Sequence, residues 1–265
     1  MRTIVLFLIL LGCGTSHITA QNDYLVTTIP NQEDPLSEEE QFIKENFPLQ
    51  LLCKWTPGMK FMFIPSGCDM FLPTLSVYET EKGADNSVLK HKILTFAGYE
   101  EKSQKLSNDM SYSTRLIFEC DGEKYYYEIK NTRPDEICEK NPRAYINGLV
   151  NLKDVDTAKD LLTGRKIYVQ SDMAQVDDAN SYSGYREVSI PVNTEATITA
   201  IGVGSQAYPV KIIFQDSQGH TYYLEVALSR TNSGMDVSDF QAEKKMRYFS
   251  NAISFSSKSP EIWKP

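Results

Sequence analysis

Histidine is scarce in this chain, with three in 265 residues. One of them, His17, falls in an N-terminal stretch expected to be removed, which leaves only His91 and His220. That is poor material for a His-rich zinc or copper site. Positive charge is also in deficit: 27 Lys and Arg stand against 35 Asp and Glu, a net charge of −8. No basic tract interrupts this balance, so the electrostatic footprint that phosphates require is missing and nucleic acid is not an expected partner. No window reaches the roughly 18 apolar residues of a membrane helix. GxSxG, GxGxxG, P-loop and HExxH patterns are lacking too, as is a Dx[DN]x[DN]G calcium loop around Asp177-Asp178. The sequence therefore implies no metal, no cofactor and no catalytic residue set.

What is present begins with an export signature. Arg2 supplies a positive start, Ile4 to Leu11 is unbroken apolar sequence, and Ile18-Thr19-Ala20 is a small-residue cleavage site, so residues 1–20 read as a signal peptide. A rival reading takes Leu10-Leu11-Gly12-Cys13 as a lipobox, with Cys13 as the lipid anchor of an exported lipoprotein. Apart from Cys13 the cysteines are Cys53, Cys68, Cys120 and Cys138, an even set that predicts disulfides in an exported chain. Their connectivity stays open; Cys53–Cys68 with Cys120–Cys138 is the favoured expectation.

The chain writes one pattern twice. Gly58-Met59-Lys60-Phe61-Met62-Phe63 returns as Gly164-Arg165-Lys166-Ile167-Tyr168-Val169, and Leu94-Thr95-Phe96-Ala97-Gly98 as Ile198-Thr199-Ala200-Ile201-Gly202. TRLIFECDGEKYYYEI, from Thr114, returns as PVKIIFQDSQGHTYYLEV, from Pro209. The last pair predicts two β-hairpins, turning at Asp121-Gly122 and at Asp216-Ser217-Gln218-Gly219. Alternation assigns Leu116, Phe118, Tyr125, Tyr127 and Ile129, and likewise Ile212, Phe214, Tyr222, Leu224 and Val226, to the core face.

The expected architecture is mainly β: two tandem small SH3-like barrels or sandwiches, each of four or five short strands, with short helices at the joints. The plan is a leader over 21–48, a first domain over 49–140, a linker over 141–155, a second domain over 156–232 and a C-terminal wrap over 233–265. The second unit is expected to fold alone from residue 149, because its hairpin has a complete core face. Ser37-Glu38-Glu39-Glu40 is a capping-box pattern opening a short helix that runs to Phe47-Pro48. Val155 to Leu162 reads as a second helix, and a run from Ser238 through Phe249 as a third.

With a Gly-Lys-aromatic first strand, a Thr-x-x-Gly third strand and an I-F…D-x-G…Y-Y hairpin in each unit, residues 50–232 resemble the tandem SH3-like barrels of secreted bacterial proteins. The Ala20-Gln21 junction is similar to signal sites common in Bacteroidetes. The resemblance implies a secreted or envelope-associated, non-catalytic binding module whose partner is a protein, a peptide or a glycan. It lacks the acidic-aromatic motif of signalling SH3 domains. The alternative is an unrecognised peptidase-like or glycan-cleaving enzyme, which would need His91 or His220 beside a thiol or carboxylate in a cleft.

Candidate ligand contacts come from the outward face of the two hairpins. Arg115, Ile117, Glu119, Tyr126 and Glu128 correspond to Lys211, Ile213, Gln215, Tyr223 and Glu225, so the same Ile and Tyr face outward in both units. Ile117, Ile213, Tyr126 and Tyr223 are either covered by a joint helix or by the C-terminal wrap with Phe240 and Tyr248, or they are aromatic anchors for a partner. Tyr182 and Tyr185, in the polar stretch after Asp177-Asp178, are either a lid or a recognition loop.

Overall fold

The computed structural model describes residues 36–48, 50–65, 73–106, 109–140, 146–181, 183–228 and 248–257. The signal expected over 1–20, the lipidation alternative at Cys13, most of the leader, Cys68, Tyr182, Phe240 and most of the C-terminal wrap lie outside these residues.

Ser37 opens the first helix, α1 (Glu38–Asn46), through the expected capping box: Ser37 Oγ accepts from the Glu40 amide at 3.2 Å and the Glu40 carboxylate accepts from the Ser37 amide at 2.9 Å. Three glutamates in its first turn lie at the positive end of the helix dipole. The first repeat then builds an antiparallel sheet from β1 (Lys60–Phe63), β2 (Ser76–Val77), β3 (Ile93–Leu106), β4 (Asp109–Cys120), β5 (Glu123–Lys130) and β6 (Leu149–Asn151). One-turn helices α2 (Asn86–Leu89) and α3 (Ile137–Lys140) interrupt it, and α4 (Leu152–Leu162) leads out of it. The second repeat contributes β7 (Lys166–Val169), β8 (Met173–Asp177), β9 (Tyr185–Ser189), β10 (Thr194–Val203), β11 (Val210–Asp216) and β12 (Thr221–Val226), then α5 (Phe249–Ala252) and β13 (Ile253–Ser254). The fold is mainly β, with one sheet curled into a half-barrel.

The strand orders are β2-β5-β4-β3-β1-β6 and β13-β7-β10-β11-β12-β8-β9. Read from opposite ends they coincide: β5-β4-β3-β1 matches β12-β11-β10-β7, β2 and β8 lie beside the hairpin, and β6 and β13 lie beside the first strand. Each repeat has more strands than expected, and β3 and β4 are long. Both third strands carry a bulge, between Phe96 and Gly98 in β3 and between Ile198 and Ala200 in β10. The bulge sets the equivalence. Phe96 lies opposite Phe118 as Ile198 lies opposite Phe214, so Phe96 rather than Leu94 is the counterpart of Ile198. The two-residue slip leaves every side chain on its expected face, because the side-chain period of a strand is two.

The hairpin turns follow expectation, with Asp121 and Gly122 both at positive φ and Gly219 alone left-handed in the longer turn. All ten residues assigned to the hairpins' core faces belong to or pack against the two clusters below.

The cores are separate. The first gathers Trp55, Phe61, Phe63, Phe96, Leu116 and Phe118 among others, with the Trp55 and Phe61 rings tilted against each other at 4.4 Å. The second is built on Ile167, Val169, Ile198, Ile212, Phe214 and Leu224, with Val155, Ala158 and Leu162 of α4 against them. It is not made from residues 149–265 alone. Ile43 and Phe47, from α1 and its end, belong to it, and Phe42 packs against Phe249 and Phe255 at ring distances of 5.8 and 5.3 Å. The buried Glu39 carboxylate accepts from the Phe255 amide at 2.6 Å. The helix expected to lead into the first repeat thus completes the second.

The linker is also structural. Its residues Leu149–Asn151 form β6, with Phe61 opposite Asn151, and the Gln206 side chain clasps it by accepting from the Gly148 amide and donating to the Ile146 carbonyl, both at 2.6 Å.

The disulfide expectation needs correction. Cys53 is bonded to Cys138, with Cα atoms 5.3 Å apart, and Cys120 is a buried thiol. Leu52–Lys54 forms a turn of 3₁₀-helix packed against α3, which brings these two cysteines together, whereas Cys120 lies at the hairpin turn opposite Glu123.

Candidate functional site

In the first repeat the outward hairpin face is closed by its own chain. Strand β2 pairs with β5, Ser76 opposite Tyr126, and the segment after it folds across the face. Tyr78 packs edge-on to Tyr126 at 6.3 Å, and the Arg115 guanidinium stacks 4.1 Å from the Tyr126 ring centre. Arg115 Nη2 meets Glu81 Oε1 at 2.7 Å, and Lys102 reaches the same carboxylate at 3.0 Å. These bonds hold the Glu81 carboxyl below its ordinary range, Arg115 contributing most. The Tyr78 hydroxyl donates to Glu100 at 2.7 Å. Ile117 and Tyr126 are buried as a result. Among the described residues, 76–81 and not a joint helix cover this face; most of the C-terminal wrap, Phe240 included, lies outside them.

The second repeat starts from the same chemistry and ends differently. Lys211 Nζ lies 3.6 Å over the Tyr223 ring, as Arg115 lies over Tyr126, and Tyr185 packs edge-on to Tyr223 at 6.5 Å, as Tyr78 does to Tyr126. The neighbour of β12, however, is β8, which pairs Gln175 with Tyr223 and turns into β9. No chain crosses the face as residues 76–81 cross the first one, among the described residues. Burial pushes the Tyr223 phenol up to about 12, with Asp177 and Glu225 adding to it. Ile213 is half-buried beside it.

Next to Tyr223 the surface sinks into a groove of about 810 Å³. Five stretches of chain build it. Gln170, Ser171 and Asp172 come from the β7–β8 turn, and Met173 and Gln175 from β8. Tyr185 and Glu187 come from β9, one period apart and on the same face as Gln175 because Glu187 lies opposite it. Glu225 of β12, Ser205 and Tyr208 of the β10–β11 loop and Asn251 of α5 complete the wall. The loop is set tightly. A side chain at Gly204 would place its Cβ against the Tyr208 carbonyl, and the Ser205 amide donates to Glu225 at 3.2 Å. Among the described residues the lining holds three carboxylates, three amides and two phenols, and no Lys, Arg or His.

Of the sequence candidates, Tyr185 lines the groove and Tyr223 borders it through Tyr185. Ile117 and Tyr126 are enclosed in the first repeat, and Tyr182 lies outside the described residues. Glu187, Asp172 and Tyr208 were missed. Glu187 was within reach, since it follows Tyr185 at strand spacing; Asp172 and Tyr208 sit in turns whose convergence only the tertiary structure reveals.

His220 Nδ1 lies 3.2 Å from Asp216 Oδ2, but this pair sits in the exposed hairpin turn. There the same carboxylate accepts from the Gln218 and His220 amides at 2.9 Å, so the contacts close the turn. His91, at φ +62, donates its amide to the Phe63 carbonyl at a strand end. Burial pushes the Cys120 thiol above its ordinary range, the opposite of an activated nucleophile. Among the described residues no three His, Cys, Asp or Glu side chains are placed to hold one metal ion, and no helix is long and apolar enough to cross a membrane. Comparison with protein-family models, with curated proteins and with solved structures finds no match to this chain.

Proposed function

We propose that this chain is an exported, non-catalytic binding module of the cell envelope or the extracellular space, and that its second repeat carries the binding surface. The observation that supports this most is the difference between the two equivalent hairpin faces. One repeat buries its tyrosine, isoleucine and cation together under residues 76–81; the other buries its tyrosine but leaves the isoleucine and the cation half-exposed, with an aromatic and carboxylate-lined groove nearby. The groove has the size of sites that accept a small ligand or a short segment of a larger one. The Cys53–Cys138 bond agrees with an oxidising compartment, and the signal-like N-terminus supplies the route. The SH3-like resemblance adds the precedent of envelope modules that bind without chemistry.

A photo-crosslinking residue placed at Ser205 on the groove tests the reading, with the same residue at the exposed Glu79 on the sealed face as control. Irradiated with the envelope fraction of the producing cells, the Ser205 position is expected to yield a discrete adduct and the Glu79 position none. Adducts at both positions alike, or at neither, would overturn it.

A further inference from the structure

We propose that Asn147-Gly148 is a self-modification site held in check by the Gln206 side chain, so that Asn147 turns into aspartate or isoaspartate when the two repeats part. This is the one Asn-Gly step in the sequence. At such a step the glycine nitrogen can attack the asparagine side chain, because glycine has no side chain of its own to obstruct the approach. A bond forms from Gly148 N to Asn147 Cγ, and the side-chain nitrogen leaves as ammonia, taking the proton of the Gly148 N–H. Water then opens the succinimide ring at either carbonyl. The reaction draws on nothing but the chain and water.

The fold fixes the glycine. The Ile146 carbonyl accepts from the Leu149 amide at 3.0 Å, and Gly148 is left-handed at φ +79 while Asn147 is not, which makes residues 146–149 a type II turn. A Cβ at position 148 would lie 2.8 Å from the Phe63 ring, so no other residue fits there. Type II turns commonly carry proline in the position of Asn147, so the turn itself does not call for asparagine.

The nitrogen that must attack is the one Gln206 holds. The buried Gly148 donates its N–H to Gln206 Oε1 at 2.6 Å, while Gln206 Nε2 donates to the Ile146 carbonyl at 2.6 Å and reaches the Leu149 carbonyl at 3.4 Å. On the far side of the same residue, the Gly148 carbonyl accepts from the Ile64 amide at 2.6 Å. Attack requires the N–H to be given up and the peptide plane to swing toward the Asn147 side chain, and these bonds bar both. Gln206 belongs to the β10–β11 loop of the second repeat, and the turn opens β6 on the first sheet, so the lock is closed by docking of one repeat on the other. Isoaspartate adds a methylene to the main chain just before Leu149, which lies opposite Phe63. That extra length disturbs the seat of β6 on β1 and makes the parting permanent.

Incubation of the full chain at mildly alkaline pH tests the proposal, with peptide mapping by mass spectrometry to follow amide loss at Asn147 and at Asn180. Asn180, in an exposed loop and followed by serine, is the internal reference. In the folded chain Asn147 is expected to react at least ~tenfold more slowly than in urea, where the clasp is open. Gln206→Ala should quicken Asn147 several-fold and leave Asn180 unchanged. Equal rates in the folded chain and in urea would overturn the proposal, as would an unchanged Asn147 rate in Gln206→Ala or a quickening of both asparagines alike. Should Gln206→Ala fail to fold, the natural chain decides by itself. Its Asn147 rate should climb at urea concentrations below the melt, because the clasp opens before either core; a rate that climbs only with the global melt would overturn control by Gln206.

Discussion

Gly164 donates its amide to the Ile198 carbonyl at 2.8 Å, and Gly58 makes the same bond to Phe96 at the same length. The return bonds are also shared: Ile198 donates to Arg165 and Phe96 to Met59. Both glycines are left-handed, at φ +82 and +94. This turn latches the first strand of each repeat onto the third just before the bulge. Gly58→Ala and Gly164→Ala have open space for the new methyl group, so the expected cost is that of the backbone conformation alone, about 1–2 kcal/mol each. Denaturant melts of the two variants should agree in size; a several-fold difference would deny the equivalence of the latches.

The enclosed cation of the first repeat should matter far more than its counterpart. Arg115 is buried between Tyr126 and Tyr78 with Glu81 at its fork, whereas Lys211 is half-exposed. Arg115→Ala removes a stacked side chain and uncovers tyrosine, and is expected to cost about 2–3 kcal/mol; Lys211→Ala should cost below ~1 kcal/mol. Urea melts check both, and equal costs would contradict the difference in burial between the two cations.

Helix α1 should report on the second repeat and not on the first. Ile43→Ala leaves a cavity in the second core and is expected to cost about 2–4 kcal/mol. Hydrogen exchange should quicken in β7 and β10 and stay slow in β3 and β4. By the same token residues 149–265 expressed alone should lack a cooperative melt, and extending the fragment with residues 36–48 through a flexible linker should restore it.

The cysteines predict an ordered pattern of labelling. In native protein Cys120 should resist alkylation, because it is buried and its thiol is pushed up. Denaturation without reductant should expose Cys120, while Cys53 and Cys138 should react only after reduction, which peptide mapping by mass spectrometry resolves. Because the bond closes a sequence separation of 85 residues, reduction should lower stability by about 2–5 kcal/mol.

Asp154, in the first turn of α4, has its carboxyl pushed up to about 6 by burial, with Lys153 offsetting part of the effect. A carboxyl raised in the folded state contributes stability that is full below its ordinary value, near 3.8, and is lost as pH rises through about 6. Asp154→Asn should therefore melt later than the natural chain at pH 7.5, by up to ~3 kcal/mol. The two should converge near pH 4, and a constant gap across that range would contradict the assignment.

Much of the fold could be read before the structure, and the misses share a cause. Ser37 and Glu40 announce a helix start within four residues, and alternation from Leu116 to Ile129 identifies the core face, because both signals are local. The pattern of Phe42, Ile43 and Phe47 says that α1 buries a face, but nothing in it names the partner, which turns out to be Phe249 and Phe255 at the far end of the chain. The slip between Leu94 and Phe96 went unseen because alternation is blind to a shift of two. Cysteine order carries no distance, so Cys138 was given the wrong partner. The groove is the extreme case: Asp172, Glu187, Tyr208 and Glu225 are brought together only by the strand order of the second sheet.

The sharing of one core by α1 and the segment around β13 orders the birth of the molecule. A chain that leaves the ribosome or a translocation pore N-terminus first presents α1 before any surface exists to receive it. The first repeat, nearly contiguous from residue 50 to 151, can close while α1 waits. β7 to β12 then offer it a partial seat, and Phe249, Ala252 and Ile253 finish the core last. A nascent chain stopped before residue 249 would hold one finished repeat and carry the apolar side of α1 only half covered, which makes the final turn of helix and its short strand the point at which quality control can tell a complete molecule from an incomplete one.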